Sequence, residues 1–173
     1  AGRAIYDGDA LVASDGALVA EARRFGFSEG ELTSAVVDIE LPRTRHGQRS
    51  GVSPSVSDEP GSCVTVPFAF PKLSAPSGKK PETEAWERGP HVKEEELARA
   101  LSLGLFDYMR KSRSRGFVVS LSGGADSSAI ASVCACLVRF AERDLGLEGV
   151  KRALDYVPGI AAATDSDQLV HAL

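Results

Sequence analysis

Long apolar runs, charge of one sign and cysteine are all scarce in this chain of 173 residues. No apolar stretch approaches the ~18 residues that suggest a membrane-spanning helix. No charged-then-apolar start marks a secretory signal, although residue 1 need not be the native start. The net charge of −4 sets up no field that would gather nucleic acid or anionic membrane, so neither is expected as a partner. The three cysteines, Cys63, Cys134 and Cys136, are odd in number and lack framework spacing. That disfavours a disulfide scaffold and points to reduced thiols in a cytoplasmic protein. Cys134 and Cys136 are two apart on a predicted helix and so face different ways. They read as small buried apolar side chains rather than as a zinc site. The two common nucleotide fingerprints, G-x-x-x-x-G-K-S/T and G-x-G-x-x-G, are missing. Their absence disfavours a Walker-type ATPase and an ordinary dinucleotide site. What remains is an ordinary soluble composition, 43% apolar and 25% charged, long enough for one or two domains.

Residues 5–20 predict a β-hairpin. The short apolar runs Ala10–Ala13 and Ala17–Ala20 flank Ser14-Asp15-Gly16, and both Asp and Gly tolerate the positive φ of a tight hairpin turn. Thr33 to Leu41, rich in Val and Ile, predicts a further strand that Pro42 ends. Three strands stand alone only with a good apolar face or a partner. Residues 1–41 therefore read as the tail of a larger β-containing domain. Residues 42–91 are dominated by Pro, Gly, Ser, Arg and Lys and predict a linker. Within it, Val64–Phe70 could dock as an extended segment. Arg43, Arg45 and Arg49 could contact an anion, though a solvated linker is the simpler reading. Residues 92–112 predict an amphipathic helix with Glu94, Glu95 and Glu96 at its start and Lys111, Arg113 and Arg115 at its end. Its expected core stripe is Leu97, Leu101, Leu105 and Met109, with Ala98 and Phe106 beside it.

The remainder is organised around Phe117–Leu121, then Ser122-Gly123-Gly124-Ala125-Asp126-Ser127-Ser128, then an apolar helical run through Ala129, Ile130, Val133 and Leu137. This predicts a buried parallel strand, a glycine turn and a helix over 127–143. Gly123 and Gly124 allow a sharp turn and a close approach to a ligand. Asp126 or Ser127 could cap the helix. The first N–H groups of a helix lack internal partners and carry partial positive charge, which suits a phosphate. Ser122, Ser127 and Ser128 add hydroxyl donors. Asp126 is the turn's one carboxylate, and Mg²⁺ is the natural bridge between it and polyphosphate. The alternative is a plain glycine-rich turn with Asp126 as N-cap. Beyond it, 145–149 predicts a turn and 150–173 a short helical or irregular insertion, with Asp165 capping a last helix through Leu169 and Val170.

Ser122-Gly123-Gly124-Ala125-Asp126-Ser127 resembles the S-G-G-x-D-S pyrophosphate loop of the ATP pyrophosphatase superfamily. Ile5-Tyr6-Asp7-Gly8, the hairpin and Thr33–Glu40 look like the closing segment of a nitrilase-like glutaminase domain. The helix Glu94–Arg113 leading into Gly116–Val119 looks like the entry to a synthetase domain. Together they are similar to glutamine-dependent NAD⁺ synthetase, over residues 5–41 and 92–140. The resemblance implies an α/β chain: the end of a nitrilase-like α/β sandwich (1–41), a linker (42–91) and the start of a doubly wound parallel sheet of the adenine nucleotide alpha-hydrolase type (92–173). It implies ATP-dependent amidation of deamido-NAD⁺, with ammonia from glutamine and with Mg²⁺. ATP and its pyrophosphate would be held by Ser122, Gly123, Gly124, Ala125, Asp126, Ser127 and Ser128, and the metal by Asp126. It also implies a homo-oligomer. The family's Glu-Lys-Cys glutaminase triad is expected upstream of Ala1, and Cys63 lacks the context of that nucleophile. Contacts to adenine and deamido-NAD⁺ are expected beyond Leu173, so these residues alone should be inactive. Two other readings stay open: another pyrophosphate-loop amidoligase with an asparagine-, GMP- or tRNA-directed acceptor, and a non-catalytic nucleotide-binding module.

Overall fold

A computed structural model describes residues 5–49, 66–69 and 83–173, and these described residues form eight elements. They are β1 (Leu11–Ser14), β2 (Ala17–Glu21), α1 (Glu40–Arg49), a 3₁₀ turn (Ala85–Arg88), α2 (Val92–Ser112), α3 (Ala125–Ala153), a second 3₁₀ turn (Ile160–Ala162) and α4 (Ser166–Ala172). The result is a small α/β arrangement with one two-stranded antiparallel sheet among the described residues. Two compact units form. Of the described residues, one contains 11–21, 33–49 and 66–69, the other 5–10, 22–32 and 83–173.

In the first unit the predicted hairpin forms. Asp15 (φ 53°) and Gly16 (φ 80°) both take the left-handed turn conformation that matches the strand twist. The pairs are Leu11 with Glu21, Val12 with Ala20, Ala13 with Leu18 and Ser14 with Ala17; the register slips between Val12 and Ala13. The expected strand Thr33–Leu41 does not form. Residues 33–38 are irregular, and α1 begins at Glu40. Asp38 Oδ1 accepts the Glu40 N–H at 2.9 Å and starts the helix. Pro42 then falls in the first turn, where a helix has no use for its missing N–H, so it opens a helix instead of ending a strand. Val36, Val37 and Ile39 stay exposed, since no strand of the described residues is there to pair with them. The basic cluster is partly spent internally: Arg43 pairs with Glu40 at 2.9 Å and Arg45 with Asp15. The Arg49 side chain and Cys63 lie outside the described residues, as do Val64, Thr65 and Phe70 of the segment Val64–Phe70; Val66 and Phe68, which are described, are exposed.

In the second unit α2 forms over the predicted span, and its buried face agrees with the expected one at Phe106 and Met109, with Leu105 packed against the core, but not at Leu97 and Leu101. Arg99, Ser102, Phe106 and Met109 are buried, while Leu97 (61%) and Leu101 (42%) remain exposed. A strict four-residue repeat drifts by about 40° per step around a helix, so Leu97 and Met109 differ by about 120°. The 99/102/106/109 spacing follows one face and wins. Phe106 and Met109 meet Phe27, Leu137, Val138, Ala141, Val150, Leu154, Val157, Ile160, Ala163 and Leu169 in one core. Phe27 and Phe106 pack edge-on at 5.2 Å. Arg99, although charged, is buried because its guanidinium lies over Trp86 (4.8 Å) and Phe140 (4.7 Å) and pairs with Glu95 at 3.2 Å.

Phe117–Leu121 is not a ladder strand. Phe117 N donates to Leu173 O at 2.7 Å, but Val118 and Leu121 are exposed. A parallel strand requires neighbours on its edges, and none of the described residues supplies one. Gly116 (φ 149°) is required just before it, because a Cβ there would collide with the Leu173 carbonyl oxygen. The helix after the turn runs from Ala125 to Ala153 and not only over 127–143. The expected turn at 145–149 contracts to a break at Gly146 (φ 69°, ψ 165°). Asp165 caps α4 as expected, its Oδ1 accepting the Gln168 N–H at 2.9 Å.

Candidate functional site

Residues 122–128 form a turn that delivers the chain into the N-terminus of α3. Gly123 (φ 79°) takes the left-handed conformation that makes the reversal, with open space around the position of a Cβ. Gly124 (φ −81°, ψ 162°) is the N-cap, and no side chain caps the helix. This corrects the expectation of a cap from Asp126 or Ser127. Both lie inside the first turn of α3, which leaves the start of a long helix with backbone N–H groups open to a ligand.

The hydroxyls converge on the same turn. Ser122 Oγ accepts the Gly124 N–H at 3.4 Å and lies 3.4 Å from Ser127 Oγ. Ser127 Oγ and Ser128 Oγ both donate to the Gly124 carbonyl, at 3.1 and 2.9 Å. Two of the three serines expected as hydroxyl donors, Ser127 and Ser128, are therefore turned back onto the backbone, and a ligand has to compete with that carbonyl for them. All of 122–128 except the half-buried Ser127 are exposed, Asp126 included. The seven residues singled out from the sequence are thus brought together by one short loop.

The donor set is made of hard oxygens: one carboxylate and three hydroxyls. Among the described residues no group of three or more His, Cys, Asp or Glu side chains is gathered for a metal. A single carboxylate beside hydroxyls fits Mg²⁺, which binds through one or two carboxylates together with substrate phosphates and water and needs no all-protein cage. Cys134 and Cys136 are free thiols on α3, and burial pushes the Cys134 thiol up.

What sequence reasoning missed lies at the other end of the helix. Asp144 (side chain 9% exposed) accepts Arg23 Nη1 at 2.9 Å through Oδ1 and the Phe27 N–H at 3.1 Å through Oδ2. Arg24 contacts Asp7 (3.1 Å), Glu96 (3.2 Å) and Glu87 (3.6 Å) and lies over Phe25 and Trp86. Burial alone would raise the Asp7 pKa. The Asp9 N–H and the Arg24 guanidinium outweigh it and hold that carboxyl below its ordinary value. The adjacent arginines Arg23 and Arg24 were the one available signal, and they carry no spacing that points to a partner 121 residues away.

Comparison with known proteins shows what the turn is similar to. Residues 97–165 match the NAD synthase family. The glutamine-dependent NAD(+) synthetase of Oryza sativa subsp. indica is 38% identical over 156 residues, which cover 87% of this chain and 20% of the rice protein. Those of Mus musculus and Homo sapiens are 34% and 33% identical, each over 79% of this chain and 19% of the relative. The chain therefore spans about a fifth of the length of these curated relatives. No solved structure matches it. Residues 97–165, which hold most of α2, the glycine turn and α3, are thus similar to the NAD synthase family, and the chain is similar to about a fifth of the length of glutamine-dependent NAD⁺ synthetases.

Proposed function

We propose that this chain contributes the ATP-cleaving turn of a glutamine-dependent NAD⁺ synthetase. The observation that carries the reading is the uncapped start of α3 beneath Ser122-Gly123-Gly124-Ala125-Asp126-Ser127-Ser128, inside the segment that matches the NAD synthase family. In this reading residues 1–41 close a nitrilase-like glutaminase domain, 42–91 form a linker, and 92–173 open a doubly wound ATP pyrophosphatase domain. Phe117–Leu121 would be the central parallel strand of that domain.

The chemistry follows from the turn. The N–H groups of Ala125, Asp126 and Ser127 and the hydroxyls of Ser122, Ser127 and Ser128 hold the β and γ phosphates of ATP. Gly123 and Gly124 leave room for the phosphates to approach. The nicotinate carboxylate of deamido-NAD⁺ attacks the α-phosphorus. The α–β phosphoanhydride bond breaks, and pyrophosphate leaves carrying the charge that the helix N-terminus stabilises. Ammonia released from glutamine attacks the acyl adenylate, AMP departs, and NAD⁺ remains. Asp126 would hold Mg²⁺, which would supply charge neutralisation. The reading includes a homo-oligomeric cytoplasmic enzyme that needs neither nucleic acid nor membrane.

The test uses the full-length protein with ATP, Mg²⁺ and deamido-NAD⁺, supplied once with glutamine and once with ammonia. NAD⁺, AMP and pyrophosphate should appear with both nitrogen donors. Asp126→Ala should abolish pyrophosphate release while glutamine hydrolysis persists. Pyrophosphate release from that variant at the wild-type rate would refute the role of Asp126. Absence of NAD⁺, with pyrophosphate released on a different acceptor, would refute the synthetase reading.

A further inference from the structure

The two ends of α3 differ in how they are held. From Ala125 to Cys136 no residue is fully buried; the buried positions of this helix are Leu137, Val138, Ala141 and Val150. The helical rod that begins at the glycine turn ends at the Gly146 break, so residues 147–153 do not extend it as a continuous brace. Asp144 is in the last turn of that rod. There a carboxylate opposes the helix dipole, and the local sequence gains nothing from it. Its two oxygens are nevertheless fully used, one by the Arg23 guanidinium and one by the Phe27 N–H. The segment bearing Arg23 and Phe27 is itself fixed. Ala22 N donates to Ala10 O at 2.8 Å, Phe25 N donates to Asp7 O at 2.6 Å, and Phe27 is buried against Phe106.

We propose that Asp144 is a positioning residue that ties the segment 22–27 to the far end of the helix carrying the phosphate turn, and so sets where that turn points. The proposal rests on the reading of residues 122–128 as the ATP site. Asp126 and Asp144 are 18 positions apart, or about 27 Å along a helix. A tilt of about 2° at the Asp144 end moves the turn by about 1 Å. A displacement of that size can change the rate of a positioned reaction by up to about 100-fold. A shift of residues 22–27 would thus reach the ATP turn through the Asp144 carboxylate, alongside the packing of Phe27 in the core, without any contact between that segment and the turn.

The experiment measures MgATP affinity by calorimetry, and thermal unfolding, on the full-length protein and on Arg23→Ala, Asp144→Asn, the double variant and Asp126→Ala. Each single change at the link should raise the Kd for MgATP about tenfold. The double variant should be no worse than either single one, because both act through one contact. A lowered Tm with an unchanged Kd in Arg23→Ala and Asp144→Asn, while Asp126→Ala loses binding, would overturn the proposal and leave the ATP reading standing. An unchanged Kd in Asp126→Ala would overturn the ATP reading itself. Should Asp144→Asn fail to fold, Arg23→Ala carries the same prediction from a half-buried side chain, and Arg23→Lys should restore binding.

Discussion

Replacing Gly124 by Ala separates what the glycine turn does for the fold from what it does for a ligand. Gly124 sits at φ −81° and ψ 162°, a conformation that alanine adopts freely. Its nearest neighbour, for an added Cβ, is Ser122 Oγ at 3.4 Å, an ordinary contact on a side chain that can rotate. Two small effects oppose each other. Alanine is a poorer N-cap than glycine by about 0.5–1 kcal/mol. It also loses less chain entropy on folding, which stabilises by about 0.4–1 kcal/mol. The net change in stability should stay within about 1 kcal/mol, or about 2–4 °C in Tm. The new methyl group, however, stands beside the open N–H groups at the start of α3, where the proposed site requires a phosphate to approach. MgATP binding in the full-length protein should fall at least tenfold, and ATP-dependent pyrophosphate release with it. Thermal unfolding and calorimetric titration of the same preparation decide the matter. Wild-type affinity in Gly124→Ala would refute the claim that this glycine is there for a phosphate. A loss of several kcal/mol in stability would show that the position is structural.

Other outcomes follow from burial and charge. Ser102 is fully buried in α2, and its hydroxyl finds no hydrogen-bond partner. Ser102→Ala removes the desolvated group and should stabilise the protein by about 1 kcal/mol, read as a raised midpoint in urea; a lowered midpoint would mean that the hydroxyl is satisfied. Asp7 has a pKa below its unfolded value of about 3.9, so its contribution to stability is present above that value. The contribution is lost as pH falls through the lower folded value. Asp7→Asn should therefore flatten the acid limb of the stability profile below about pH 4 and leave its shape between pH 6 and 8 unchanged. An unaltered acid limb would remove Asp7 from the account.

The local rules reached the features that depend on a few adjacent residues. Asp15-Gly16 specifies its hairpin because those two residues tolerate positive φ, and no distant contact is needed. Asp165 caps α4 through its own chain three residues on. Residues 122–128 were legible as a turn into a helix because glycine, hydroxyl and carboxylate groups are packed into seven consecutive positions, and the proposed phosphate role rests on that chemistry. The same rules failed where two local preferences compete. Val36, Val37 and Ile39 favour a strand, but Asp38 accepts the first N–H of a helix that begins at Glu40, and Pro42 suits its first turn. Choosing between them requires a partner strand, which is a tertiary quantity. In α2 the leucine repeat suggested one face, yet the core took the face bearing Arg99 and Ser102. Trp86 and Phe140 shelter that guanidinium, and neither is visible from the helix itself. Gly124 as the cap of α3 was likewise decided by backbone angles that the residue types leave free. The contact of Asp144 with Arg23 and Phe27 belongs wholly to the tertiary structure, because a carboxylate on a helix names no partner until the chain has brought one within 3 Å. Sequence alone determined the chemistry of the turn; folding decided which helix face is buried and what holds the helix on which that turn stands.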